Sequence, residues 1–186
     1  IVKSESEIDL MRKGGRILSK VLETLAQEAK VGVSAGALDR LAFDLISKFG
    51  AEPAFLGYNG YEFTTCISKN EEVVHGIPYD DKILNNGDIC SIDVGVKYQG
   101  YYTDAARTFL IGSVSPLHKR LVEAAEKSFF DCIKYAVPGN RLGDISFHLQ
   151  KSAEKLGFSV VRDLCSHGVG RELHEEPLIH NFGKRG

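Results

Sequence analysis

Apolar side chains at Ile8, Met11, Leu18, Val21, Leu22 and Leu25 recur at helical spacing, which places them on one face of an amphipathic helix. Ser4-Glu5-Ser6-Glu7 just ahead has the form of a capping box, so the helix starts there. The Gly14-Gly15 pair is expected to interrupt this helix and to let a neighbouring element approach closely. A turn at Gly32 leads to a second helix over residues 35–49, ended by Gly50, and Pro53-Ala54-Phe55 opens an extended segment. Strand-like runs then alternate with turns as far as Leu110. The most strand-like is Ile89-Cys90-Ser91-Ile92-Asp93-Val94-Gly95-Val96, with Tyr101 to Leu110 as its return strand.

Ser115-Pro116 opens a third helix to about Ala136, with Leu117, Leu121, Val122, Ala125, Phe129 and Ile133 along one side. After the Pro138-Gly139 turn a fourth helix runs to Lys155 or Leu156, capped by Gly157. Phe158-Ser159-Val160-Val161 then reads as a strand. A shift of 107 residues carries Gly32 onto Gly139, Gly36 onto Gly143, Gly50 onto Gly157 and Leu38 onto Ile145. Glycines at turns and helix ends sharing one offset indicate an internal duplication. Two α/β units about a pseudo-twofold axis are expected, with a first half of about 1–112 and a second of about 113–186. A cleft between such halves is a natural place for a site. The same symmetry puts the counterpart of the 89–110 hairpin beyond Gly186, so the expectation is a stretch of a longer protein.

At 186 residues and 43% hydrophobic the chain can bury a sizeable core. Its net charge of −2, with basic residues scattered, gives no stripe for a nucleic-acid ligand. The apolar runs fall well short of the ~20 residues that span a membrane. Cys66, Cys90, Cys132 and Cys165 lack C-x-x-C spacing and read as reduced thiols. With no leader visible, a cytoplasmic protein is expected.

The 89–110 hairpin carries the first chemistry. With Tyr98 and Gln99 as the turn, Asp93 and Asp104 are direct cross-strand neighbours, their Cβ atoms about 4.5–5.5 Å apart. Like charges facing each other on an apolar sheet call for a cation between them, and one or two divalent ions are the natural candidate. The competing readings are a shifted register, or neutralisation of Asp104 by Arg107. His75, in Val73-Val74-His75-Gly76-Ile77-Pro78, is expected at a strand end before a turn. His167, in Cys165-Ser166-His167-Gly168-Val169-Gly170, repeats that setting. His174 follows seven residues after His167, a spacing unlike the i, i+4 pair of helical zinc sites, so both act from strand or loop if they share a site.

Several motifs together strongly resemble one family: Gly57-Tyr58-Asn59-Gly60-Tyr61, Asn70 to Pro78, Gly87-Asp88-Ile89, Ile92-Asp93-Val94-Gly95, Gly100-Tyr101-Tyr102-Thr103-Asp104 and His167 to Pro177. From Ser4 to its last residue the sequence resembles the type I methionine aminopeptidases. The resemblance implies an α+β pita-bread fold, shared with prolidases and Xaa-Pro aminopeptidases, with two related halves forming a single catalytic domain and a central metal cleft. It implies removal of N-terminal methionine from nascent polypeptides at the ribosome, by a water bridging two divalent metals (Co, Mn, Fe or Zn). In that reading Asp93, Asp104 and His167 are metal ligands. His75 and His174 flank the metals and hydrogen-bond the substrate. The methionine pocket maps to Phe55, Tyr58, Tyr61, Cys66 and Leu173. The family's two remaining glutamate ligands fall beyond residue 186, so residues 1–186 alone are expected to hydrolyse no methionyl peptide. An Xaa-Pro peptidase and a non-catalytic binding module of the same fold are the alternatives.

Overall fold

The computed structural model describes residues 1–186 and divides into two compact units. The first comprises Ile1–Ser115 with Val169–His174, the second Pro116–Gly168 with Glu175–Gly186.

In the first unit, α1 (Glu5–Glu28) begins where the capping box places it. The Ser4 hydroxyl accepts the Glu7 N–H, and the Glu7 carboxylate accepts the Ser4 N–H at 2.6 Å. The expected break at Gly14-Gly15 does not occur, and the helix is continuous. The close approach does occur: a Cβ on Gly14 would lie 3.3 Å from Thr103 Oγ1 and 3.5 Å from Tyr98 Cβ. A glycine costs a helix only about 1 kcal/mol, which the contact of α1 with the sheet outweighs. Helix α2 (Ala35–Lys48) is capped by Ser34, whose hydroxyl accepts the Ala37 N–H.

Both helices lie on one face of a four-stranded antiparallel sheet. The central strand β3 (Ile89–Tyr98) pairs on one side with β4 (Tyr101–Leu110) and on the other with β1 (Glu52–Pro53) and β2 (Thr65–Lys69). Its even-numbered residues Cys90, Ile92, Val94 and Val96 are fully buried with Leu18, Val21, Leu22 and Leu25 of α1 and Leu38 and Ile46 of α2. Each such aliphatic side chain contributes about 1.5–3 kcal/mol by leaving water. Alternation along the strand then commits every odd-numbered residue of β3, Asp93 included, to the opposite face.

In the second unit, α3 (Pro116–Cys132) starts at the expected proline and passes into a 3-10 turn at Ile133–Tyr135, followed by α4 (Leu142–Lys155). The buried row of α3 is Ala124, Ser128 and Cys132, on the side packed with α4. The larger apolar residues Leu117, Leu121, Phe129 and Ile133, expected to form the packed side, are exposed. Small side chains let α3 and α4 approach more closely than that stripe would. Strands β5 (Cys165–Gly168) and β6 (Glu175–His180) pair antiparallel, with an irregularity between His167 and Gly168. The strand expected at Phe158–Val161 is absent; those residues run as irregular backbone. Two of the glycine pairs related by the 107-residue offset share left-handed backbone, Gly32 with Gly139 and Gly50 with Gly157. No helix is long and apolar enough to cross a membrane.

Candidate active site

The face of the first sheet turned away from α1 and α2 carries the acidic pair. Its register differs from the expected one by two residues. Gln99 and Gly100 form the turn, both with positive φ (49° and 85°), so Tyr98 pairs with Tyr101 and Asp104 faces Gly95, not Asp93. A two-residue turn of this hand needs φ > 0 at both central positions, which glycine meets without strain at the second. Asp93 and Asp104 are therefore diagonal neighbours, roughly 7 Å apart at Cβ, and still share one face. Their carboxyl groups meet in a hydrogen bond, and burial pushes the Asp104 carboxyl above the usual carboxylate range. Arg107 faces Ile92 across the strands, so it projects from the other face and is not the counter-charge.

Two carboxyl groups can hydrogen-bond to each other only if one holds a proton. Burial beside a second carboxyl group leaves this place in need of positive charge. A hard divalent cation, which prefers carboxylate oxygen, fits the same place.

Cys66 lies directly across β2–β3 from Asp93. It belongs to a second apolar cluster with Ala54, Phe55 and Leu173, against which Tyr61 and Tyr102 pack. Gly95 makes room for it. A Cβ there would stand 2.5 Å from Phe55 Cε1 and 2.7 Å from Ala54 Cβ. The Tyr61 hydroxyl donates to the Thr65 carbonyl at 2.7 Å and receives the Cys66 thiol at 3.4 Å. Burial raises the Cys66 thiol, and the nearby charges of Asp93 and Asp104 add to the effect. Burial likewise raises the Tyr61 phenol, with Cys66 and Asp93 contributing. Four of the five expected pocket residues thus gather beside the acidic pair. The fifth, Tyr58, stands with His174: ring centroids 5.2 Å apart, hydroxyl 2.9 Å from Nδ1.

His75 is not at a strand end. It is an exposed loop residue with φ 57°, several residues past β2, because Gly76 is fastened to the outer edge of that strand. The Gly76 carbonyl accepts the Ile67 N–H at 2.8 Å, and the Gly76 N–H donates to Ser68 Oγ at 3.0 Å. His167 lies in β5, as expected. Its Nδ1 is 2.9 Å from the Gly168 carbonyl, which can only accept, so the Nδ1 N–H donates there. A bond from one ring nitrogen to a backbone carbonyl is how a metal-ligating histidine is commonly oriented. No group of three or more His, Cys, Asp or Glu side chains is close enough to hold a metal ion together; the cluster the structure forms is the aspartate pair.

One supporting residue is not among those singled out from the sequence. Asp39, buried on α2, accepts the Thr64 N–H (3.0 Å), the Thr65 N–H (2.8 Å) and the Thr65 hydroxyl (2.7 Å) on one oxygen. It pins the start of β2, whose Thr65 carbonyl in turn holds Tyr61. The signal lay in the helix pattern: Leu38, Asp39, Ala42 and Ile46 share one buried face, where an acid is out of place.

The model of metallopeptidase family M24 matches residues 9–186. The chain belongs to that family. It is 46% identical over 186 residues to methionine aminopeptidase from Clostridium acetobutylicum, covering all of this chain and 74% of that protein. The crystal structure of methionine aminopeptidase from Thermotoga maritima superposes with a TM-score of 0.98 at 43% identity, over 100% of this chain and 75% of that one. Prolidase from Pyrococcus furiosus superposes at 0.85 with 26% identity, this chain covering 53% of it. Within family M24, the sequence and the fold place the chain among the methionine aminopeptidases, and the α+β pita-bread architecture is that of these relatives. Membership in a metallopeptidase family makes divalent metal the cofactor.

Proposed function

We propose that this protein removes the N-terminal methionine from polypeptides by metal-dependent hydrolysis of the first peptide bond. The observation that carries this reading is the placement of an apolar, aromatic-lined cluster beside a half-buried pair of aspartates on one sheet face. Asp93, Asp104 and His167 are assigned as ligands to two divalent ions drawn from manganese, iron, cobalt and zinc; carboxylate and imidazole donors suit all four. When bound, such ions supply Lewis-acid polarisation of the scissile carbonyl and acidify water. Phe55, Tyr61, Cys66 and Leu173, with Tyr58 at the rim, receive the methionine side chain. A flexible thioether gains both from burial and from sulfur–aromatic contact there. His174 and His75, both exposed, donate hydrogen bonds to the substrate backbone. The Tyr58 hydroxyl, 2.9 Å from Nδ1, steadies the His174 ring for a hydrogen bond to the oxygen that becomes anionic. The substrates are nascent chains in the cytoplasm, met at the ribosome.

Proline-directed hydrolysis is the second reading, favoured by the likeness to prolidase. Turnover of Met-Ala-Ser, Ala-Ala-Ser and a set of Xaa-Pro dipeptides by the full-length, manganese-loaded protein separates the two. Methionine release should exceed alanine release by at least about a hundredfold in kcat/KM, the scale on which an apolar pocket discriminates. Preference for the Xaa-Pro substrates would overturn the assignment.

A further inference from the structure

Segment Val169–His174 leaves β5, packs on the first unit and delivers two of the assigned residues, Leu173 and His174. Four attachments hold it. The Gly170 carbonyl accepts the Tyr102 N–H at 2.7 Å, extending the outer edge of β4. Leu173, 3% exposed, fills the cluster with Phe55 and Cys66. His174 meets the Tyr58 hydroxyl. Between these, Arg171 reaches the first turn of α1 and grips Glu7: Nε donates to Oε1 at 3.0 Å, and Nη2 contacts the same oxygen.

Glu7 is occupied from every side. Its Oε1 also accepts the Tyr101 hydroxyl at 2.7 Å, and its Oε2 closes the capping box on the Ser4 N–H. The Ser4 N–H, Tyr101 and Arg171 together hold its carboxyl down to about 2, so it is ionised at neutral pH. One carboxylate therefore joins the start of α1, the beginning of β4 and the segment that carries His174. Hydrogen bonds to an ionised acceptor are roughly twice as strong as neutral ones, and guanidinium geometry fixes direction as well as distance.

We infer that Glu7 and Arg171 are positioning residues for the hydrolysis: through this latch they set where His174 and Leu173 stand relative to the aspartate pair's sheet. Neither touches substrate. The inference rests on the proposed role of His174, and its test separates the two.

The full-length protein is prepared as wild type, Arg171→Met, His174→Ala and the double variant, with Arg171→Lys as a milder break. Amide hydrogen exchange is read at Tyr102, whose N–H bonds the segment, and at Ile92 and Val94 in the sheet centre. Arg171→Met should speed exchange at Tyr102 at least tenfold and leave Ile92 and Val94 unchanged; if those two also accelerate, Arg171→Lys replaces it. On methionyl peptide, kcat should fall about tenfold to a hundredfold with a smaller change in KM, as expected for a displaced catalytic group. In the His174→Ala background the same substitution should lower kcat less than threefold, because its target is already gone. Unchanged exchange at Tyr102, or an equal loss of kcat in both backgrounds, overturns the latch. Absence of methionine release by the wild type would instead overturn the proposed function, and the exchange result would still decide the latch.

Discussion

At the scale of single residues, Asp39 and Gly95 show how much of the site depends on groups that touch no substrate. Removing the Asp39 side chain leaves the Thr64 and Thr65 amides buried without an acceptor, each at a cost of about 1–3 kcal/mol. Asp39→Ala should therefore lower stability by at least that amount in urea unfolding. Asp39→Asn keeps an oxygen for the same donors and should fold. Burial raises the Asp39 carboxyl, so the wild type loses stability as pH rises from the ordinary carboxylate value through the raised one. The asparagine variant has nothing to ionise at that position. Its stability should fall less than the wild type's across that window, Asp104 contributing equally in both, and a parallel pH dependence in both proteins would refute the burial account. At Gly95, any Cβ collides with Phe55 and Ala54. Gly95→Ala should cost about 1–3 kcal/mol by overpacking and weaken methionyl-peptide binding more than it weakens metal binding. Calorimetric titration with each ligand measures both. These residues are half legible in sequence: a glycine in a strand signals close approach, but not what approaches.

Among the elements, the helices follow from local rules. Serine caps, helical periodicity and terminal glycines are written within a few residues of where they act, and α1, α2, α3 and α4 begin and end close to the expected places. The β3–β4 register did not follow from strand pattern alone. Pairing Asp93 with Asp104 directly and pairing them diagonally both put the carboxyls on the same face, so alternation cannot distinguish the two. Only the turn decides, and Gln99-Gly100 satisfies its positive-φ demand better than Tyr98-Gln99. The strand expected at Phe158–Val161 failed for the opposite reason. Its β-branched residues have strand propensity but no partner to pair with, and propensity is weaker than pairing. Segment Val169–His174 was legible as motif and not as architecture. Nothing local in Arg171 or Glu7 announces that residues 164 positions apart meet.

For the whole molecule, the separation of faces on one sheet makes the chemistry possible. The even-numbered residues of β3 seal the core against two helices, which frees the odd-numbered face to hold charge beside an apolar cluster. Acids paired on a surface that is partly dry call for a positive partner, and a divalent ion can satisfy both carboxylates at once. The most direct test is metal-dependent release of methionine from a methionyl peptide by the full-length protein, wild type against Asp104→Asn. The wild type should be inactive after chelation and recover with manganese or cobalt. Asp104→Asn should lose several kcal/mol of transition-state stabilisation, on the order of a thousandfold or more in rate, with metal restored. An Asp104→Asn protein that releases methionine at the wild-type rate, or a wild type indifferent to chelation, would contradict the assignment of the aspartate pair as the metal-holding centre.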